Sequence, residues 1–404
     1  MKRTMKYLPL LITVLFLLCG PALADSREIT RDCRFKATVN PTDVFEVMTD
    51  NYSTYWTGQA GEMKIRLPEK TSAQGIHLSF FMEAVPVTVE ALDASGNVIA
   101  SAEYSDRYLN AWIPLVSESA YRVCPTEEKA LLRLSRVRVY SGDTIPQDAQ
   151  IWHEPEGPAD LLLIVTHPDD DLIWFGGLLP TYAGERGINV VVACAATQGA
   201  MKVGRLNEFL DGEWVCGVTN YPVFGPFADF QAKSVQAVTK RWGKNAMEAW
   251  CTGLIRRFKP KVVVTQDLRG ESGHMQHKVL AAAVAEAVTA WCGDPAKDPE
   301  SAAEYGVYVP QKLYIHRYRQ NEIFMDWNEP LASFGGESSA QVAHRAFKKH
   351  VSQRNTHYRI YMGGPLDSRY LGLYFSSVGD DVLKNDLFEH VVTDSPGENA
   401  GSAG

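Results

Sequence analysis

The stretch Asp160-Leu-Leu-Leu-Ile-Val-Thr-His167-Pro-Asp169-Asp170-Asp171 ends an apolar run in one imidazole and three carboxylates. These are the side chains that hold a divalent metal and move protons beside it. A second cluster, Gly270-Glu-Ser-Gly-His274-Met-Gln-His277, offers two more imidazoles three residues apart. Positions i and i+3 share one face of a helix, so both rings can enter a single pocket. A hydrolytic zinc site needs three protein ligands and one open position. His167, Asp170 and His277 supply a His-Asp-His set, leaving Asp169 and His274 as polar neighbours of the metal. Zinc lowers the pKa of a coordinated water from about 15.7 to about 7. Asp169 is then expected to serve as general base, and His274 to stabilise the oxyanion or protonate the departing amine. The chemistry indicated is metal-assisted amide hydrolysis.

These residues need a scaffold that brings distant loops together. Short, continuous apolar runs read as buried parallel strands. The pattern predicts strands over 161–166, 188–197, 221–224, 261–266 and 307–315. Helices are predicted between them over 172–185, 205–216, 246–258 and 276–291. Such alternation implies a Rossmann-like, mostly parallel sheet with helices on both faces. Loops at the C-terminal ends of its strands share one edge. There the His167 loop meets the His274 loop and the segment Thr197-Gln-Gly199, which leads into Arg205-Leu-Asn-Glu208. Residues 339–350 read as an amphipathic helix with Val342, Ala343, Ala346 and Phe347 inward. His316, His344 and His350 have no partners at ligand spacing and read as structural or surface groups. No Gly-x-Gly-x-x-Gly follows the first strand, and Met201-Lys-Val-Gly204 lacks P-loop spacing, so nucleotide binding is excluded.

Upstream the grammar differs. Met63-Lys-Ile-Arg-Leu67 alternates strictly, Val87-Thr-Val89 and Val137-Arg-Val139 more briefly, with turn signals such as Asp93-Ala-Ser-Gly-Asn97 between runs. A small all-β sandwich is expected over 25–148, a linker over 149–159, the α/β domain over 160–394 and a disordered tail over 395–404. Residues 1–24 read as a signal peptide: Lys2, Arg3 and Lys6, an apolar run from Leu8 to Leu18, then Ala22-Leu23-Ala24. The expected destination is export, periplasmic or extracellular or at the cell surface, with no stable membrane span after cleavage. Losing those three cations takes the formal charge from -8 to about -11, which disfavours nucleic acid. Cys33 and Cys124 bracket the β region and are the first candidates for a disulfide, while Cys194 reads as a buried hydrophobe. The sequence gives no oligomeric state.

The two motifs together resemble the PIG-L/LmbE family of zinc-dependent de-N-acetylases, whose hallmarks are Ala-His-Pro-Asp-Asp-Glu and a Gly-His-Pro-Asp-His-like element. The resemblance runs from about residue 160 through the His277 loop and more loosely to about 320. It implies zinc on His167, Asp170 and His277, with iron, cobalt or nickel also suited to such ligands. It further implies Asp169 as base, His274 as transition-state partner, and substrate contacts from Arg205, Glu208 and Asp229. Three positions depart from the pattern. Thr166 stands for Ala. Asp171 stands for Glu, with a shorter reach toward its supporting role behind the metal. Gln276 stands for Asp, which would leave His274 less readily protonated. The segment Asp50-Asn-Tyr-Ser-Thr-Tyr-Trp56-Thr resembles the early motif of discoidin-like, galactose-binding jelly rolls, which bind glycans through exposed aromatics. Trp56 as plain core is the competing reading. The expected substrate is an N-acetylated glycan or amino sugar. The alternatives are a zinc amidase acting on a peptide or conjugate amide, and an inactive glycan-binding protein.

Overall fold

The computed structural model describes residues 25–59, 61–199, 204–354 and 357–392. The expected signal peptide and the tail from 395 lie outside them. Ten strands build the N-terminal region: β1 Arg27–Glu28, β2 Arg34–Ala37, β3 Trp56–Gln59, β4 Met63–Arg66, β5 Gly75–Phe80, β6 Val87–Leu92, β7 Val98–Tyr104, β8 Asn110–Ile113, β9 Ala120–Pro125 and β10 Leu131–Ser141. They pair antiparallel into two sheets, β1-β10-β5-β8 with β3 also on β10, and β2-β4-β9-β6-β7. In β4, Met63 and Ile65 point into the core while Lys64 and Arg66 do not, as strict alternation requires. Trp56 is fully buried, so it is core and not a glycan platform. Cys33 and Cys124 are unpaired. Cys33 precedes β2, Cys124 lies on β9, and β4 runs between them. Two strand spacings of about 4.8 Å exceed the Cα separation a disulfide tolerates.

The second region contains β11 Leu161–Val165, α1 Asp170–Phe175, β12 Val190–Cys194, β13 Gln198–Gly199, α2 Arg205–Val215, β14 Val223–Phe224, β15 Ala228–Asp229, α3 Val235–Trp242, α4 Lys244–Phe258, β16 Val262–Thr265, α5 Met275–Glu286, α6 Pro299–Tyr305, β17 Lys312–His316, β18 Glu322–Phe324, α7 Ser339–Phe347 and β19 Tyr370–Ser376. The main sheet runs β14-β12-β11-β16-β17-β19-β18, its first five strands parallel, with β19 antiparallel to β17 and the edge strand β18 antiparallel to β19. Period-two alternation divides the strands between two cores. Leu161, Leu163 and Val165 join one, Leu162 and Ile164 the other. The first core is continuous with the sandwich interior.

Several expectations shift. The helix expected over 172–185 begins earlier, at Asp170, and ends at Phe175; a π-helical turn over Pro180–Glu185 follows. Gly177 lies where a Cβ would meet the Trp327 ring at 2.3 Å, so this chain segment packs too closely for any other residue. The helix expected over 276–291 likewise passes into a π turn at Ala287–Trp291. The antiparallel strands β18 and β19 had no expectation.

The join between the regions is built and polar. Asp211 on α2 accepts both terminal nitrogens of Arg136 from β10, at 3.1 and 3.0 Å, and the Tyr52 hydroxyl at 2.8 Å. Gln150, from the expected linker, donates to the same carboxylate, and Gln150 and Trp152 are buried. The connecting segment is thus fastened to both sides.

Candidate metal centre and its surroundings

The chain runs from β11 to β12 and β14 on one side of the sheet, then returns to place β16 on the other side of β11. The crevice outside β11 and β16 is therefore the switch point where open α/β sheets bind ligands. His167 follows β11 directly, and His274 and His277 follow β16. A pocket of about 210 Å³ opens there, lined by residues that include His167, Asp169, Asp170, Arg205, Asp229, His274 and His277. A roomier crevice of about 480 Å³ at the join between the regions includes Arg136, Asp211, Trp214 and Lys349. The smaller pocket is where ligand-type atoms converge.

Three atoms form a near-equilateral triangle. Asp170 Oδ2 lies 3.2 Å from His167 Nδ1 and 3.2 Å from His277 Nε2, and the two nitrogens are 3.1 Å apart. A tetrahedral zinc with bonds near 2.0–2.1 Å needs ligand atoms about 3.3 Å apart. His274 belongs to a wider group, one of its ring nitrogens within 4.8 Å of a ring nitrogen of His167 and of His277. The tighter triangle with Asp170 is the better tetrahedral face, and His274 sits at its side, toward solvent.

Each candidate ligand is fixed from behind. Asp170 opens α1; its Oδ2 also accepts the His167 backbone N–H at 2.7 Å, and its Oδ1 accepts the Trp174 indole N–H at 3.0 Å. The His167 Nε2–H donates to Gln276 Oε1 at 2.7 Å, which leaves Nδ1 as the free lone pair. Gln276 is thus turned toward His167 and not toward His274. His277 Nδ1 meets Glu271 Oε2 at 2.9 Å, so Nε2 is its free lone pair. Gly270 (φ +69) makes the tight loop possible, since a Cβ there would stand 2.4 Å from the His274 carbonyl.

The electrostatics favour positive charge at the triangle. Burial works against protonated rings, yet the Asp170 and Asp229 carboxylates hold the His167 pKa up to about 10. Burial is likewise outweighed at His277, which Asp170 and Glu271 hold up to about 9. Burial opposes ionisation of Asp170 too, and the two rings overcome it, holding the carboxyl well below its usual range. The donor set therefore fits a divalent cation, which would replace those protons. Crowding against the protein, with the charges of His277 and His167, brings His274 down to about 4.

The remaining expected residues divide. Asp169 is buried and pairs with Arg205, Oδ2 to Nη2 at 2.7 Å. Asp229, carried by the β13–β15 ribbon, lies 3.5 Å from His167 Nε2 at the pocket wall. Glu208 does not line the pocket. It accepts the Ser352 N–H at 2.8 Å and hydroxyl at 2.6 Å, anchoring the segment that carries Gln353 to the wall. Asp171 is fully buried; burial, then the charges of Asp169 and Asp170, raise it to about 8 against a hydrogen bond with Glu213 that lowers it. Glu271 and His316 were not expected. Their pairing spans 45 residues, so no local spacing signals it; the buried strand β17, ending in a polar His316, was the sole hint.

Residues 162–288 match the family described as GlcNAc-PI de-N-acetylase, PIG-L. This region is a PIG-L domain. The 1D-myo-inositol 2-acetamido-2-deoxy-alpha-D-glucopyranoside deacetylase of Rhodococcus jostii (strain RHA1) is 33% identical over 171 residues, which are 33% of this chain and 57% of that protein. A deacetylase of the same description, numbered 1, from Catenulispora acidiphila is 26% identical over 178 residues, 38% of this chain and 55% of its own length. The chain thus spans about half the length of the curated relatives it matches. Among solved structures, N,N'-diacetylchitobiose deacetylase from Pyrococcus horikoshii, complexed with its inhibitor MPG, is 16% identical with a TM-score of 0.37, covering 48% of this chain and 71% of its own. Outside the PIG-L domain, the sandwich is joined to it through Asp211.

Proposed function

We propose that this protein is a metal-dependent N-deacetylase that removes the acetyl group from an N-acetylglucosamine-type glycan or glycoconjugate. The observation that carries the reading is the triangle of His167 Nδ1, Asp170 Oδ2 and His277 Nε2, with Asp169 and His274 lining the same pocket. The curated relatives are named for deacetylating a 2-acetamido-2-deoxyglucoside, which supports the substrate class.

His167, Asp170 and His277 would hold the ion, with zinc the metal best suited to this donor set. Such an ion supplies Lewis acidity, acidifying a coordinated water and polarising the amide carbonyl. Asp169 accepts the proton of the attacking water, and Arg205 keeps its carboxylate ionised in a buried setting. His274, at the solvent side, would hydrogen-bond the developing oxyanion through its N–H, and the proton that Asp169 takes from the water would go on to the leaving amine. Asp229 and Arg205 supply polar pocket walls that orient sugar hydroxyls. The products are acetate and a free amino sugar. We further propose that the protein is exported, a reading supported by the pattern of residues 1–24. No described helix is long and apolar enough to cross a membrane.

The test is acetate release from N-acetylglucosamine oligomers and glycosides by zinc-loaded protein, with the Asp169→Asn variant as control. Zinc-dependent acetate release that the variant lacks supports the proposal. Release of a larger acyl product from a peptide or conjugate, with none from the sugars, moves the assignment to another amidase.

A further inference from the structure

The geometry points to Glu271 as the positioning residue of the metal centre, with His316 as its brace. The inference rests on the metal reading above and names residues that reading did not use. Glu271 is 1% exposed and His316 is fully buried. The Glu271 carboxylate accepts three hydrogen bonds: from the Asp267 backbone N–H at 2.7 Å, from His277 Nδ1 at 2.9 Å and from His316 Nδ1 at 3.0 Å. His316 in turn directs Nε2 to the Asp367 carbonyl, 3.3 Å away. Only a carboxylate oxygen faces Nδ1 of His277, so that nitrogen carries the N–H.

The consequence for the metal follows from tautomer logic. A neutral imidazole has one N–H and one lone pair. With its N–H committed to Glu271, His277 presents Nε2 as a lone pair to the point shared with His167 and Asp170. The same carboxylate fixes the plane of the ring. Because Glu271 opens the loop before α5 and His316 closes β17, their bond ties the ligand helix to the neighbouring strand of the sheet. The local sequence could not reveal this, as His277 and its brace come from different strand ends.

Glutamine at 271 has nearly the same shape but carries an amide NH2. Facing His277 Nδ1, that amide selects the opposite tautomer and places a proton where the metal must bind. Facing His316, it breaks the brace. The experiment is zinc affinity, by competition with a chromophoric chelator, for wild type, Glu271→Gln, Glu271→Asp and His316→Asn. Thermal melts of the metal-free proteins check folding. Glu271→Gln should bind zinc about 10- to 100-fold more weakly. Glu271→Asp, which restores the acceptor, should recover part of the loss, and His316→Asn should show a smaller loss. Equal affinity of Glu271→Gln and wild type would overturn the positioning role, as would no recovery in a folded Glu271→Asp. If wild type itself takes up no zinc, the metal reading fails and this inference with it.

Discussion

Asp169 and Arg205 form a buried ion pair, Oδ2 to Nη2 at 2.7 Å, and the same arginine donates to the Pro168 carbonyl at 3.0 Å. The pair joins the His167 loop to the first turn of α2. Burial pushes the Asp169 pKa up and Arg205 opposes that push. Removing the guanidinium leaves the upward push unopposed, so the base becomes protonated at higher pH. Arg205→Met should therefore move the acid limb of kcat/KM to higher pH and cut activity most on the acid side. An acid limb that stays in place would mean Arg205 serves substrate alone.

Asp169 stands outside the ligand triangle, so its loss should separate chemistry from metal binding. Asp169→Asn should retain the full metal content and lose about 10²- to 10⁴-fold in kcat. His277→Ala should lose the metal itself. Elemental analysis beside initial rates distinguishes the two, and near-normal turnover in Asp169→Asn would refute the assigned base.

The join between the regions makes a prediction of stability. Asp211 and Arg136 are both largely buried, with side-chain exposures of 6% and 13%. Breaking a buried pair from one side strands the other charge, at a cost of about 3–5 kcal/mol. Asp211→Ala should lower the free energy of unfolding, read from urea titrations, by an amount of that order. A change below about 1 kcal/mol, the range of surface pairs, would show that the join contributes little.

Acid sensitivity should trace in part to two buried neutral histidines. Burial holds His77 and His350 down to about 3. Unfolded, each titrates near 6.5, so below that pH the unfolded chain binds the protons first. Their contribution therefore destabilises progressively as pH falls from 6.5 toward 3. Between pH 6.5 and 4.5 each ring accounts for about 2 to 3 kcal/mol of loss. His350→Leu should lose less stability than wild type across that interval in matched denaturant titrations. Parallel curves would contradict this account.

What could be read from the residues follows physical scale. The candidate ligands His167 and Asp170 were legible because they lie within a few residues of the end of β11, and His277 because it follows His274 by three residues at a helix start. The alternation of parallel strands with helices was legible from the apolar runs, but the order of the strands across the sheet was not. The Asp169–Arg205 and Glu271–His316 pairs were not, since their partners are set by strand order across the sheet. Asp211 and Arg136 carry no local mark of an interface, since their pairing joins elements of the two regions. Strands β18 and β19 escaped because three residues of one, Glu322–Phe324, are too few to show a period. The disulfide guess failed for a related reason, because chain separation says nothing about the strand that lies between two cysteines.

The central claim is that His167, Asp170 and His277 hold one catalytic divalent ion. The most direct test is metal stoichiometry, by elemental analysis after zinc loading and desalting, on wild type and on His167→Ala, Asp170→Ala and His277→Ala. The account predicts close to one zinc per wild-type chain and a large loss in each variant. A wild-type chain that retains no zinc, or variants that retain it in full, would contradict the account.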